Sequence, residues 1–185
     1  MNDIVILSMM LEGPRHGYQL KHEAGLVFGP EALHNNLIYP MLSRFLKEGW
    51  VSKKEVPGKR GQTRLQYTLT ASGRRNLLNR LSEFEDADAA SESAFRTRVA
   101  LFDLLGADAR KNILDRREAY LQPRHQRLAG LAAHMNLGRH GREVVDHLRH
   151  NIELEMKWIK HLRRISQTDR KKLTAERTPK EKGVA

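Results

Sequence analysis

The sequence predicts a mainly α protein: a winged helix-turn-helix with a two-stranded β wing, followed by an all-helical C-terminal dimerisation domain. Three observations lead there. A short helix that opens on Asn35-Asn36 and carries an apolar face ends at Gly49. Two alternating segments, Trp50–Val56 and Thr63–Thr70, flank the cationic turn Pro57-Gly58-Lys59-Arg60-Gly61-Gln62. Beyond residue 93 the apolar pattern is helical throughout.

The elements follow in order. Asn2 or Asp3 can cap a first helix running to about Leu11, with Ile4, Leu7, Met10 and Leu11 at helical spacing. Glu12-Gly13-Pro14 breaks it. A second helix covers about Gly17 to Ala24, and a connection holding Gly29-Pro30 leads to the third. With Asn36 as N-cap, Pro40 falls among the first helical positions, whose N–H groups have no partner inside the helix. Leu42, Phe45 and Leu46 then face the core with Met41, and Lys47 points outward. The two strands are expected to be half-buried. A fourth helix starts at Thr70-Ala71-Ser72-Gly73 and places Leu77, Leu78, Leu81 and Phe84 inward.

Small and acidic residues at Asp86–Ser93 suggest a joint, so residues 1–85 form the expected DNA-binding domain and 86–166 the helical domain. Phe95, Val99, Phe102 and Leu105 predict one short helix ended by Gly106. Asp108 can cap a long helix with Leu114, Leu121, Leu128 and Met135 at seven-residue intervals and Leu131 beside them, kinked at Pro123. After Gly138 and Gly141, a final helix carries Val145, Leu148, Ile152, Ile159, Leu162 and Ile165. Seams this narrow suit association with another chain. Leu121, Leu128, Leu148, Ile152, Trp158, Ile159 and Leu162 are therefore the expected dimer contacts. Residues 167–185 read as a basic, disordered tail.

Lys and Arg exceed Asp and Glu by 33 to 22 over 185 residues, a net charge of +11 with His neutral. Such a field suits a polyanion, because each neutralised phosphate releases condensed counterions. The excess is spread along the chain and does not by itself locate a surface. Absent cysteine excludes disulfides, thiolate metal sites and cysteine nucleophiles. The run Ile4–Leu7 is far shorter than the ~20 residues of a membrane span, and no basic stretch precedes it. A cytoplasmic location, with no membrane partner, is expected.

A compact helix followed by a cationic hairpin fits a DNA major groove and its flanking backbone. Tyr39 can donate its hydroxyl to a phosphate or pack its ring inward. Asn35 and Asn36 can cap the helix or pair with adenine in the major groove. Lys59, Arg60, Gln62 and Arg64 lie in or beside the wing. Tyr18 opens the second helix, where backbone N–H groups can also hold a phosphate. Arg44 is a further candidate on the helix surface, and His16 reads as structural. A dimer would present two such helices ~34–36 Å apart to a palindrome. With ~3–4 phosphates neutralised per subunit, log K should fall against log salt with a slope of about −6.

Four stretches in sequence resemble the PadR family of bacterial transcriptional regulators: Leu11–Leu20, Ile38–Leu42, Leu46–Val51 and Tyr67–Arg74. The C-terminal half, ending in Glu155-Met156-Lys157-Trp158-Ile159, is similar to the longer subgroup with a helical dimerisation domain. The resemblance implies a phosphate contact from Tyr39, a homodimer on double-stranded promoter DNA, and a small aromatic ligand of the kind to which family members respond. Where family members place a small residue and then Ser or Thr, this chain has Asn36 and Leu37, so no operator sequence carries over. Repression is the expected sign, since a small protein that occupies a promoter needs no activating surface. No cofactor and no enzymatic activity are expected. Two other readings compete. One is a protein-binding adaptor built on the winged helix. The other is a metal site at Glu143, His147 and His150, which share a helical face.

Overall fold

The computed structural model describes residues 2–28, 35–57, 62–134 and 136–177, with the backbone alone at 25–28, 35–37, 133–134 and 167–177. The chain divides into two compact units, Met1–Glu83 and Phe84–Ala185.

In the first unit, α1 (Asn2–Met9) buries Ile4, Val5, Ile6 and Leu7 in succession, because it packs against both α2 and α4. Asp3 is not the cap expected of it. The helix already includes Asn2, and the Asp3 carboxylate accepts from Arg44 at 2.5 Å and pairs with Arg80 at 3.5 Å. Two residues with no sequence pattern, Arg15–His16, form β1, and α2 follows from Gly17 to Phe28, further than expected. The connection at Gly29-Pro30 lies outside the described residues.

The third helix, α3, spans Asn35–Lys47 and turns Ile38, Leu42 and Phe45 into the core. Since Asn35 is already helical, Asn36 is not the cap, and Pro40 is the sixth helical residue. Lacking an N–H, Pro40 leaves the carbonyl of Asn36 without its usual donor one turn on.

Strands β2 (Val51–Pro57) and β3 (Thr63–Leu69) pair antiparallel from Val51↔Leu69 to Pro57↔Thr63. β1 adds to β3 antiparallel, so the sheet has three strands in the order β1-β3-β2 rather than the expected two. The expected half-burial is confined to the inner end: Val51 and Tyr67 are buried, whereas Ser52 to Glu55 and Thr63 to Leu65 are exposed. Alternating sequence marks a strand but does not specify a layer to cover its face, and among the described residues the outer hairpin has none.

Helix α4 (Ala71–Ser82) buries Leu77 and Leu81 and starts at a dense junction. The Thr70 Oγ1 accepts from the Gly73 N–H at 3.0 Å, while its hydroxyl has the carbonyls of Gly49 (2.7 Å) and Trp50 (3.0 Å) within donating distance. The Thr70 N–H also donates to Trp50 O at 3.0 Å. Gly49 has φ +68°, a left-handed conformation that glycine adopts without steric cost.

The second unit begins with α5 (Asp86–Ala90) and α6 (Glu92–Ala100), the latter capped by Ser91, which accepts from the Ala94 N–H at 3.2 Å. The single helix expected through Leu105 stops at Ala100. Leu101 leaves helical geometry at φ −114°, ψ 16°, and a 3-10 turn at Phe102–Leu104 follows, with Phe102 and Leu105 still buried. Helix α7 covers Ala107–His134 and continues past Pro123; Asp108 lies inside its first turn rather than capping it. Helix α8 covers Arg139–Arg177 and so extends into the segment expected to be a disordered tail. Met135 lies outside the described residues.

α7 and α8 run antiparallel, joined by cross-pairs such as Arg117–Glu155, His125–Glu153 and Arg163–Asp115. Leu121, Ile152 and Ile159, expected as contacts with a second copy, are buried within this one chain. Leu128, Leu148, Trp158 and Leu162 are only partly covered. Among the described residues no helix is long and apolar enough to cross a membrane.

The charge cluster joining the helices carries a pH prediction. Burial alone would raise the pKa of Asp115, but hydrogen bonds from Lys111 and Arg163 outweigh it and hold the carboxyl below its ordinary value. A depressed carboxyl stabilises the fold above its unfolded pKa, and that contribution is lost as pH falls through the lower, folded pKa. Thermal melts of the wild-type protein between about pH 6 and pH 3 should therefore lose stability in acid. Asp115→Asn should melt lower near neutrality and show a shallower acid limb; an unchanged limb would remove Asp115 from the account.

Candidate nucleic-acid interface

Helix α3 has two chemically different faces. Ile38, Leu42 and Phe45 are fully buried, while Tyr39, Pro40, Ser43, Arg44 and Lys47 are exposed. Residues 39, 43 and 47 are one turn apart, so they line one outward strip. The side chains of Asn35 and Asn36 lie outside what is described, and so do Lys59 and Arg60 at the wing tip. Gln62, just before the returning strand, and Arg64 on it are exposed.

Tyr18, Tyr39 and Arg64, widely separated in sequence, come together. With His16, Gly17, Gln19, Leu65 and Tyr67 they line one recess at the N-terminus of α2. Its construction starts at β1. Pairing of Arg15 with Tyr67 and His16 with Gln66 draws the start of α2 against β3. His16 Nδ1 lies 2.9 Å from the carbonyl oxygen of Leu65, and the His16 backbone N–H donates to Gln19 Oε1 at 2.9 Å. His16 is thus structural here, as its sequence position suggests.

Gly17 fixes the depth of the recess. A β-carbon on it would lie 3.1 Å from Cε1 of Tyr39, so the aromatic ring rests almost on the helix backbone. Tyr39 nonetheless remains 54% exposed and Tyr18 70% exposed. The Tyr18 ring lies parallel to that of His22, with centroids 6.4 Å apart. Tyr67 forms the floor. Burial, with a smaller contribution from Tyr39, raises its phenol above the ordinary pKa and keeps it a neutral hydrogen-bond donor. Phenol hydroxyls, a guanidinium and the backbone N–H groups of a helix start form a donor set suited to a phosphate.

Arg44 is differently placed from that group. It is held by Asp3 and lies over the Phe45 ring, 5.3 Å from the centroid, so it ties α3 to α1 while staying half-exposed. Sequence reasoning missed Lys53 and Lys54, both exposed on β2. The available signal was two adjacent lysines in a strand, where a half-buried strand would bury one of them. Lys54 lies opposite Gln66, and Arg64 opposite Val56, which puts Lys54 and Arg64 on the same face of the ribbon. Gly17 was also missed, since a glycine at a helix start reads as a break.

The residues of the competing metal reading do not assemble. His147 Nε2 accepts from Asn151 Nδ2 at 3.0 Å, and among the described residues no group of three or more His, Cys, Asp or Glu side chains is placed to hold an ion.

Residues 6–79 match the family described as Transcriptional regulator PadR-like. Among solved structures, the chain is similar to Bacillus subtilis PadR in complex with operator DNA, with 16% identity, 89% of this chain and 98% of that chain covered, and a TM-score of 0.45. It is also similar to Bacillus subtilis PadR in complex with p-coumaric acid, at 15% identity, 89% and 94% coverage and a TM-score of 0.40. A transcriptional regulator from Clostridium thermocellum is 22% identical over 42% of this chain and 76% of its own, with a TM-score of 0.39. No curated protein matches the sequence.

Proposed function

We propose, from the match of residues 6–79 to the PadR-like family of transcriptional regulators, that the chain is a repressor that grips duplex promoter DNA as a homodimer across a palindromic operator. The observation that carries the proposal is the recess of the winged unit, where Tyr18, Tyr39 and Arg64 meet beside the outward strip of α3. In this reading α3 enters the major groove, Asn35 and Asn36 reach base edges, and Tyr39, Tyr18 and Arg64 hold the backbone phosphate beside it. Lys59, Arg60 and Gln62 continue the grip along the wing, joined by Lys53 and Lys54. Arg44 serves first to hold the helix in place through Asp3.

Two substitutions separate phosphate chemistry from mere charge. Arg64→Ala removes a cation in each half of a dimer, so the slope of log K against log salt should flatten by about 2. Tyr39→Phe removes a neutral donor, so affinity should fall about tenfold or more while the salt slope stays unchanged. Both follow from titrating promoter fragments at several salt concentrations. Equal, wild-type binding by both variants would leave the recess without a role in DNA contact.

Operator, sign and ligand are reached by footprinting the DNA upstream of the protein's own gene, with and without phenolic acids. A two-fold protected site, loss of footprint with an aromatic ligand, and raised transcription on removing the protein are the expected results. Neutralising Lys59 and Arg60 together should abolish DNA retention; undiminished retention would favour the protein-binding adaptor.

A further inference from the structure

An acidic side chain held against the helix that meets DNA is at odds with a polyanionic partner, and Asp3 is such a side chain. It is only 15% exposed, and its two oxygens divide between two guanidiniums. Oδ1 accepts from Arg44 at 2.5 Å, and Oδ2 lies 3.5 Å from Nη1 of Arg80. The two cations are not held alike. Arg80 has further support, since its Nε donates to Asn76 Oδ1 at 2.8 Å and its guanidinium lies 5.2 Å from the centroid of the Trp50 ring. Arg44 rests on Asp3 and on the Phe45 ring, and half of its side chain stays exposed. On α3 it follows Ser43, so it stands about 100° round the helix from that residue, on the side facing α1.

Burial of Ile38, Leu42 and Phe45 seats α3, and a half-exposed ion pair adds little to that hold. The larger effect of the pair is on charge. A guanidinium engaged by a carboxylate presents little net charge to a third group, and it has to give up that bond before it can take a phosphate.

We propose that Asp3 is a specificity-determining residue: it holds Arg44 off the phosphate backbone and so weakens binding to DNA of the wrong sequence more than binding to the operator. The inference rests on the DNA-binding reading of the winged unit and adds what limits that binding. Phosphate contacts carry no sequence information, so each cation left free adds to the affinity for any duplex. On the operator, base contacts fix where α3 lies, and Arg44 stands to the side of the strip that enters the groove. Elsewhere no base contact fixes the helix, and the protein settles wherever its cations find phosphates. A free Arg44 is therefore satisfied chiefly on non-operator DNA, where it erodes discrimination.

Affinities for two duplexes of equal length decide the matter. One spans the site protected upstream of the protein's own gene, and the other has the same bases shuffled. Asp3→Asn keeps the size of the side chain and removes its charge. On the shuffled duplex its affinity at low salt should rise about tenfold, and the slope of log K against log salt should steepen by about 2, one phosphate for each Arg44 of a dimer. On the protected duplex the rise should stay below about threefold, so the ratio of the two affinities falls. Asp3→Ser should do the same, which separates loss of charge from any effect of the new amide. Adding Arg44→Gln to Asp3→Asn should return the slope to the wild-type value. Glu48→Gln removes an equal charge from an exposed position just past α3 but leaves the pair in place, and should keep the wild-type ratio. A ratio lowered equally by Glu48→Gln would overturn the role of Arg44. Unchanged binding of both Asp3 variants to the shuffled duplex would overturn the proposal, as would an equal rise on both duplexes. So would weaker binding to both with a lowered melting temperature, the mark of a purely structural pair. A wild-type protein that holds the two duplexes equally removes the DNA-recognition reading itself, and this inference with it.

Discussion

Gly73→Ala should strongly destabilise the winged unit, and DNA retention should weaken with it. A β-carbon at this position would lie 2.0 Å from the carbonyl oxygen of Trp50 and 2.8 Å from Cδ1 of Leu69. The nearer obstacle is backbone and cannot rotate away. It cannot withdraw cheaply either, because the same carbonyl accepts the Thr70 N–H at 3.0 Å at the end of the sheet. Moving α4 outward instead would uncover Leu77 and Leu81, both fully buried. Overpacking a core with side-chain give costs about 1–3 kcal/mol; here, with backbone on the opposing side, about 3–5 kcal/mol is expected. That is a large part of the ~5–15 kcal/mol by which a domain is stable. Gly130 is the matched control, since a β-carbon there meets nothing within 4 Å and the residue sits inside α7. Gly130→Ala should raise stability by about 0.5–1 kcal/mol. Chemical denaturation of both variants decides the matter, and a Gly73→Ala protein within about 1 kcal/mol of wild type would show that α4 does not close on Trp50 as described.

Arg117→Ala has the second largest expected effect, on the helical unit. The guanidinium is buried, donates twice to Glu155 at 2.7 and 2.9 Å, and gives a third bond to the Ala89 carbonyl at 2.5 Å. It also lies over the rings of Phe95 and Tyr120, 5.5 Å from each centroid. One side chain thus joins α5, α6, α7 and α8. Removing it strands a carboxylate whose side chain is only 15% exposed. Breaking one partner of a buried pair costs about 3–5 kcal/mol, more than the pair contributes over an apolar replacement. The double variant Arg117→Met with Glu155→Met should therefore recover much of the loss. If the double variant is no more stable than Arg117→Ala, the cost lies in the ring contacts and the Ala89 bond instead.

Helices were legible wherever an apolar period ran long enough. α1, α3, α4, α7 and α8 all follow from spacing, and Gly49 and Thr70 mark the ends of their neighbours. β1 was not legible, because Arg15 and His16 acquire strand geometry only from β3, which lies far along the chain. The break after Ala100 was hidden for a similar reason: Phe102 and Leu105 keep a helical spacing although the backbone between them has tightened. Periodicity also cannot say which surface an apolar stripe meets. Leu121, Ile152 and Ile159 have the spacing of an association seam and find their partners inside the chain, while the exposed Leu154 and Val144 drew no notice. The recess was legible only in parts. Tyr18, Tyr39 and Arg64 could each be singled out by chemistry, but their meeting depends on β1 and on the missing side chain of Gly17.

The strand order β1-β3-β2 leaves β2 at an edge of the sheet, with one row of its amide and carbonyl groups facing no further strand among the described residues. Such a rim is a template on which other chains can stack and precipitate. Lys53, Lys54 and the terminal Pro57 discourage that stacking. Variants that neutralise both lysines to weaken the hold on phosphate should also lose colloidal stability, so the solubility of the protein and its attraction to nucleic acid draw on the same two charges.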